Sequence, residues 1–177
     1  MAANQRPIIG FNHFTFFSIF VLLFTTLINK QVKVLKEHNY LERINSYTME
    51  DWKPLLKLIP EIEKVEQFGD DTEAMELLEQ GILDMEPYDE HEIVERFREV
   101  IYSIPIAIDF NWPGWDEGRE MVSNEYFDYD TVDIPTKCKV ITAIARSDRF
   151  SSGALVNAFE SGLILKLLKS IEFQLFS

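Results

Sequence analysis

Asp89-Glu90-His91-Glu92-Ile93-Val94-Glu95-Arg96-Phe97-Arg98-Glu99-Val100-Ile101 decides the fold class of this chain. Its apolar residues Ile93, Val94, Phe97, Val100 and Ile101 recur at i, i+1, i+4, i+7 and i+8, which is one face of a helix. Asp89 with Glu92 has the spacing of a capping box and predicts the helix start. The same periodicity extends upstream. Thr48 and Asp51 open a helix whose Trp52, Leu55, Leu56 and Ile59 share a face, and Pro60 ends it or starts the next turn. Asp70 and Asp71 are set to cap a short helix through Ala74, Met75, Leu77 and Leu78, closed by Gly81.

Downstream, Ile104-Pro105-Ile106-Ala107-Ile108 reads as an extended connector, because Pro105 disfavours helix at Ile104 and the residues are largely β-branched. Pro113-Gly114 marks a turn, and the helix expected from Trp115 to Ser123 carries acids in its first turn, where negative charge is stabilising. Asp133 caps a helix with Pro135, Val140, Ile141 and Ile144. Ser151 or Ser152 caps a short helix, Gly162 separates it from the last one, and Leu155, Phe159, Leu163, Leu167 and Ile171 continue the apolar stripe. The prediction is an all-α, compact multi-helix domain ending in three short, tightly connected helices. Its expected core includes Trp52, Leu55, Leu56, Ile59, Leu78, Val94, Phe97, Ile101, Trp115, Ile141, Ile144, Phe150, Leu155, Phe159, Leu163, Ile164, Leu167 and Leu168.

An N-terminal hydrophobic helix precedes this domain. Residues 7–29 are uncharged, and from Phe14 to Ile28 eleven of fifteen are Phe, Leu, Ile or Val, the rest Thr or Ser. As a helix the uncharged run would reach about 34 Å, enough for a hydrocarbon layer of about 30 Å. No small-x-small cleavage site follows it. The sequence therefore divides into residues 1–48, a membrane anchor, an upstream extension or a packed soluble helix, and residues 49–177, an acidic helical domain. In the anchor reading Lys30, Lys33, Lys36 and Arg43 stay inside, which places the N-terminus out and the domain in the cytoplasm.

Charge narrows the partners. Residues 61–133 hold twenty-three acids against Lys64, Arg96, Arg98 and Arg119, a net charge of −19 in a chain of −13. Such a surface repels phosphate backbones, and the last helix offers only Lys166 and Lys169 as bases, so direct nucleic-acid reading is not expected. An acidic imitation of a phosphate backbone is a minor alternative. Cys138 is the single cysteine, which excludes an intramolecular disulfide and fits a small buried hydrophobe. Asp128 to Asp133 fails as a calcium loop, because Asp133 stands where glycine is needed and Lys139 where a bidentate Glu is needed. No phosphate-binding loop, dinucleotide fingerprint or serine elbow is present. Neither a metal site nor a cofactor is implied.

Two groups of residues are binding candidates. Asp109, Trp112, Trp115 and Asp116 flank the Pro113-Gly114 turn, where aromatic faces either close the core or receive a ligand. Arg146, Asp148 and Arg149 stand at a helix-to-helix corner, with Glu160 further on, and form either a structural corner or an anion site. Trp52-Lys53-Pro54-Leu55-Leu56-Lys57-Leu58-Ile59-Pro60, Asp109-Phe110-x-Trp112 and Arg-x-Asp-Arg-Phe-x-x-Gly at 146–153, with the later Phe159-Glu160-x-Gly162, resemble a small bacterial family of domains of unknown function over residues 49–171. The resemblance implies a unitary domain and no activity.

The preferred expectation is an α-helical interaction or accessory module whose partner is a protein, with an exposed apolar groove beside the Trp112–Trp115 turn. The alternative is an enzyme that brings Asp109, Asp116 or Glu160 together with Arg146 or Arg149 in a pocket.

Overall fold

The computed structural model describes residues 13–70, 89–151 and 153–177. The short helix expected between Asp70 and Gly81 and its core candidate Leu78 lie outside the described residues, as does Ser152. Within them the chain is all-helical: α1 His13–Ser46, α2 Met49–Leu56, α3 Ile59–Ile62, α4 Glu92–Ser103, α5 Asp116–Ser123, α6 Ile134–Ser147, α7 Ala154–Glu160 and α8 Leu163–Phe176. The extended pairing among the described residues is two residues long, β1 Gly69–Asp70 antiparallel to β2 Asp89–Glu90.

Local chemistry explains where these helices start. The Thr48 backbone N–H and hydroxyl both donate to Asp51 Oδ2 at 2.7 Å, closing the first turn of α2. Asp133 Oδ1 accepts from the Thr136 N–H at 2.9 Å, with Pro135 in the first turn of α6. Two other starts differ from the sequence reading. The backbones of Asp89 and Glu90 pair with residues 69–70, so α4 is capped one residue before Glu92 by His91, whose Nδ1 accepts from the Ile93 N–H at 3.2 Å. At α7 the cap position is Gly153, at φ +81°, and Asp148 Oδ1 takes the Leu155 N–H at 3.0 Å in place of a serine hydroxyl. Gly162, at φ +73°, turns the chain from α7 into α8 within two residues, a conformation L side chains rarely adopt. α7 and α8 are joined by two residues, whereas six separate α6 from α7; α6 and α8 have 14 residues each, and of these three helices only α7, with 7, is short.

α8 is the axis of the core, with α2, α3, α6 and α7 packed on it. Its Ile164, Leu167, Leu168 and Ile171 are fully buried. Phe97 of α4 meets Phe159 of α7 edge-on at 5.2 Å, and Phe159 meets Phe68 at 5.1 Å. Each such side chain contributes roughly 1.5–3 kcal/mol by leaving water. Trp115, Leu56 and Leu163 are only partly buried against this core. Phe150 is a correction: it is 83% exposed. After Asp148 the chain turns, with the Phe150 N–H on Ser147 O at 2.9 Å, and the ring comes to rest 6.0 Å from Trp112 instead of entering the interior.

The interior also takes residues from upstream of Met49. Tyr40 and Ile44, in the last turns of α1, are each 3% exposed. The Tyr40 hydroxyl donates to Ile106 O at 2.9 Å, and Arg43 Nη2 donates to Pro105 O at 2.8 Å. From the other side the Thr142 hydroxyl accepts from the Ile108 N–H at 3.3 Å and donates to Cys138 O at 2.7 Å. The connector through Ile106 and Ile108 is buried because α1 and α6 supply the partners its backbone would otherwise lack.

The membrane-spanning expectation for residues 14–28 is not met. Among the described residues no helix is long and apolar enough to cross a membrane, and the N-out, C-in orientation loses its basis with it. The near-continuous apolar run is fifteen residues, about 22 Å of helix against a hydrocarbon thickness of about 30 Å, and α1 runs on through Lys30, Lys33 and Lys36. The longer uncharged run begins at Pro7, outside the described residues.

Candidate functional site

An open apolar groove of about 550 Å³ lies between α5 and α6, lined by Trp112, Trp115, Val122, Ala143, Ile144 and Ser147, with Gly118 beneath and Arg119, Glu120 and Ser123 along the edge. The sequence builds it in three steps. Pro113-Gly114 folds into a 3-10 turn at Trp112–Gly114 that separates the two tryptophans. Asp116 and Glu117 favour the start of α5 at the next residues. Gly118 then leaves room for the Trp115 ring, since a Cβ at this position would collide with it. Trp115 is further fixed edge-on by Phe110 at 5.5 Å. Val122 is 40% exposed, and the exposed Phe150 ring beside Trp112 extends the apolar surface beyond the groove.

The charged rim is acidic. Asp116, Glu117 and Glu120 are all exposed on α5, while Arg119 is engaged by the Asp116 carboxylate and by Pro113 O at 2.8 Å. Asp109 receives Arg146 Nη1 at 3.4 Å and Lys36 Nζ at 3.9 Å, but its side chain is 76% exposed. Of the carboxylate and guanidinium candidates at the two locations, Asp109 and Arg146 are the pair that meets.

The corner residues go to separate partners. Asp148 is bound by Arg98 Nη2 of α4 at 3.0 Å, and the same nitrogen reaches Glu90 at 2.9 Å. The Glu90 hydrogen bond, ahead of the nearby charges, raises the Arg98 guanidinium above its ordinary range. Arg149 lies over the Tyr102 ring at 6.0 Å. Glu160 Oε1 accepts from the Phe68 N–H at 2.6 Å. Arg146, Arg149 and Glu160 therefore have different neighbours, and Asp148 ties α4 to the start of α7. Sequence reading missed Arg98, fifty residues away from Asp148, because nothing in local spacing links them.

A second depression, of about 500 Å³, is lined by Tyr129, Asp130, Lys166, Lys169, Ser170 and Phe173, among others. Its polar groups already have partners. The Ser170 hydroxyl donates to Asp130, Lys166 Nζ donates to Glu125 O at 3.2 Å, and Lys169 pairs with Glu63 at 2.5 Å. Behind it Lys137 is fully buried, with Nζ on Ser170 O at 3.2 Å, and burial pushes its ammonium below the ordinary range. Cys138 is likewise buried, which pushes its thiol up to about 12 and leaves it a poor nucleophile.

Residues 47–175 match a family of unknown function, DUF6508. The chain belongs to that family. Neither a curated protein nor a solved structure matches it. The DUF6508 match includes the whole groove, the Arg98 corner and α8 as far as Leu175, but stops short of Tyr40 and Ile44, which complete the core from outside the matched span.

Proposed function

We propose that this DUF6508 protein is a protein-interaction module that receives apolar side chains of a partner in the groove between α5 and α6. The observation that carries this reading is the groove itself: Trp112, Trp115 and Val122 present apolar surface to solvent at one place, floored by the buried Ile144 and continued by a Phe150 that is 83% exposed. Large apolar side chains gathered on a surface gain by being covered, and aromatic pockets of this kind are where binding free energy concentrates. The acidic rim of Asp116, Glu117 and Glu120 favours a partner segment with apolar anchors and basic flanks. An enzymatic reading finds less support, since Asp109 and Arg146 meet at an exposed pair away from this apolar lining.

Selection of displayed peptides against the full chain tests the proposal. Enriched sequences are expected to be amphipathic and basic, and Ala143→Arg, which fills the groove from α6, is expected to weaken them at least about tenfold without unfolding the protein. Failure to enrich such sequences, or enrichment of peptides indifferent to Ala143→Arg, would remove the groove from consideration.

A further inference from the structure

The first part of α1 is as unusual as the groove. All side chains from Val21 to Lys36 are exposed, including Leu22 at 71%, Leu23 at 64%, Val34 at 60%, Leu35 at 59%, Leu27 at 56% and Phe24 at 54%. At about 100° per residue, Leu23, Leu27 and Val34 form one row and Phe24, Ile28 and Leu35 the next, together covering roughly half the helix circumference. Leu22 and Gln31 depart from the pattern. Asn29, Val32, Lys33 and Lys36 border the loop at Asp109, Phe110 and Asn111, so the two apolar rows lie on the side of α1 away from the body. Lys30 falls beside the first row, and Lys36 beyond the second, with Lys33 between them on the polar side.

Residues 21–36 thus hold three lysines and no acid, in a chain whose net charge is −13. We infer that this stretch of α1 is an interfacial helix that lies on an anionic lipid surface, with Phe24, Leu27, Ile28 and Leu35 entering the acyl boundary and Lys30, Lys33 and Lys36 meeting the headgroups. An amphipathic helix with a basic polar side and a stripe of exposed Phe, Leu and Ile has the chemistry such surfaces bind. Charge selects lipid over a second copy of the chain along this stripe, because a second copy presents the same three lysines and no acid over these residues, whereas an anionic surface offsets them. The acidic body does not forbid the approach. Lys30 is ten residues from the anchored Tyr40, about 15 Å of helix or nearly two Debye lengths of about 8 Å, so the body is screened from Val21 to Lys30 and least at Lys36. The single Lys36–Asp109 pair at 3.9 Å joins two well-exposed side chains and yields readily to headgroups.

Co-sedimentation of the full chain with vesicles tests this. Binding is expected to vesicles of equal parts phosphatidylglycerol and phosphatidylcholine, to fall with added salt, and to be weak with phosphatidylcholine alone. Lys30→Glu/Lys33→Glu/Lys36→Glu should lower partitioning on the order of a hundredfold, and Leu27→Asp/Leu35→Asp should abolish it. All five positions are exposed, and circular dichroism confirms that the fold is kept. The inference is overturned by absence of binding to the anionic vesicles, by binding that survives Leu27→Asp/Leu35→Asp, or by self-association in solution that this double variant dissolves.

Discussion

A chain beginning at residue 37 keeps the stability of the full protein to within about 1 kcal/mol, whereas a chain beginning at Met49 loses about 5 kcal/mol or more. The difference lies chiefly in Tyr40 and Ile44, each 3% exposed, and in the Tyr40 hydroxyl that satisfies Ile106 O at 2.9 Å, with the Thr48 cap of α2 and the Tyr47 ring against Trp52 lost as well. Truncating a buried isoleucine to alanine costs about 2–5 kcal/mol and a buried aromatic about 3–5, and removing the helix that carries both also exposes the connector they cover. Against a typical total of about 5–15 kcal/mol, such a loss leaves the shorter chain marginal or unfolded. Urea denaturation followed by circular dichroism measures it. Equal midpoints for the two truncations would show that α1 contributes nothing to the interior.

Arg98→Met is expected to destabilise the protein by about 2 kcal/mol, and Arg146→Met by less than about 1. Arg98 serves two carboxylates, Glu90 and Asp148, whose side chains are 17% and 13% exposed. Without it they face each other with one backbone N–H, that of Leu155, as the remaining charge-stabilising partner on Asp148 among the described residues. Breaking a fully buried pair costs about 3–5 kcal/mol, and the 32% exposure of the guanidinium lowers the figure here. Arg146 instead meets Asp109, which water already solvates. Thermal denaturation of the two variants side by side gives the comparison; equal losses would mean that the corner at Asp148 does not depend on α4.

These two cases show where sequence reading reached and where it stopped. Periodicity identified α4 and α8 and most of the residues they bury, because a helix records its buried face within a few residues of itself. The caps at Thr48 and Asp133 were legible for the same local reason. Arg98 was not, since its partners at Glu90 and Asp148 meet only after α4 packs near the turn into α7. The division at Met49 followed composition, which changes near that point, whereas the packing of Tyr40 and Ile44 depends on a connector sixty residues downstream. Phe150 looked like core by its chemistry. A turn whose geometry the sequence does not announce carries it out to Trp112, and that same displacement enlarges the apolar surface at the groove. Trp112-Pro113-Gly114-Trp115 leaves core closure and an exposed groove both open by its local chemistry, and the groove's far wall at Ala143 and Ile144 depends on the packing of α5 on α6.

Whether that groove accepts apolar matter can be measured without knowing the partner. In a methyl-labelled full-length protein titrated with indole, the methyl resonances of Val122, Ala143 and Ile144 should shift together and saturably, and Ala143→Arg should abolish the response. Shifts confined to other parts of the surface, or no saturable shift at these three residues, would contradict the assignment of this groove as the binding surface.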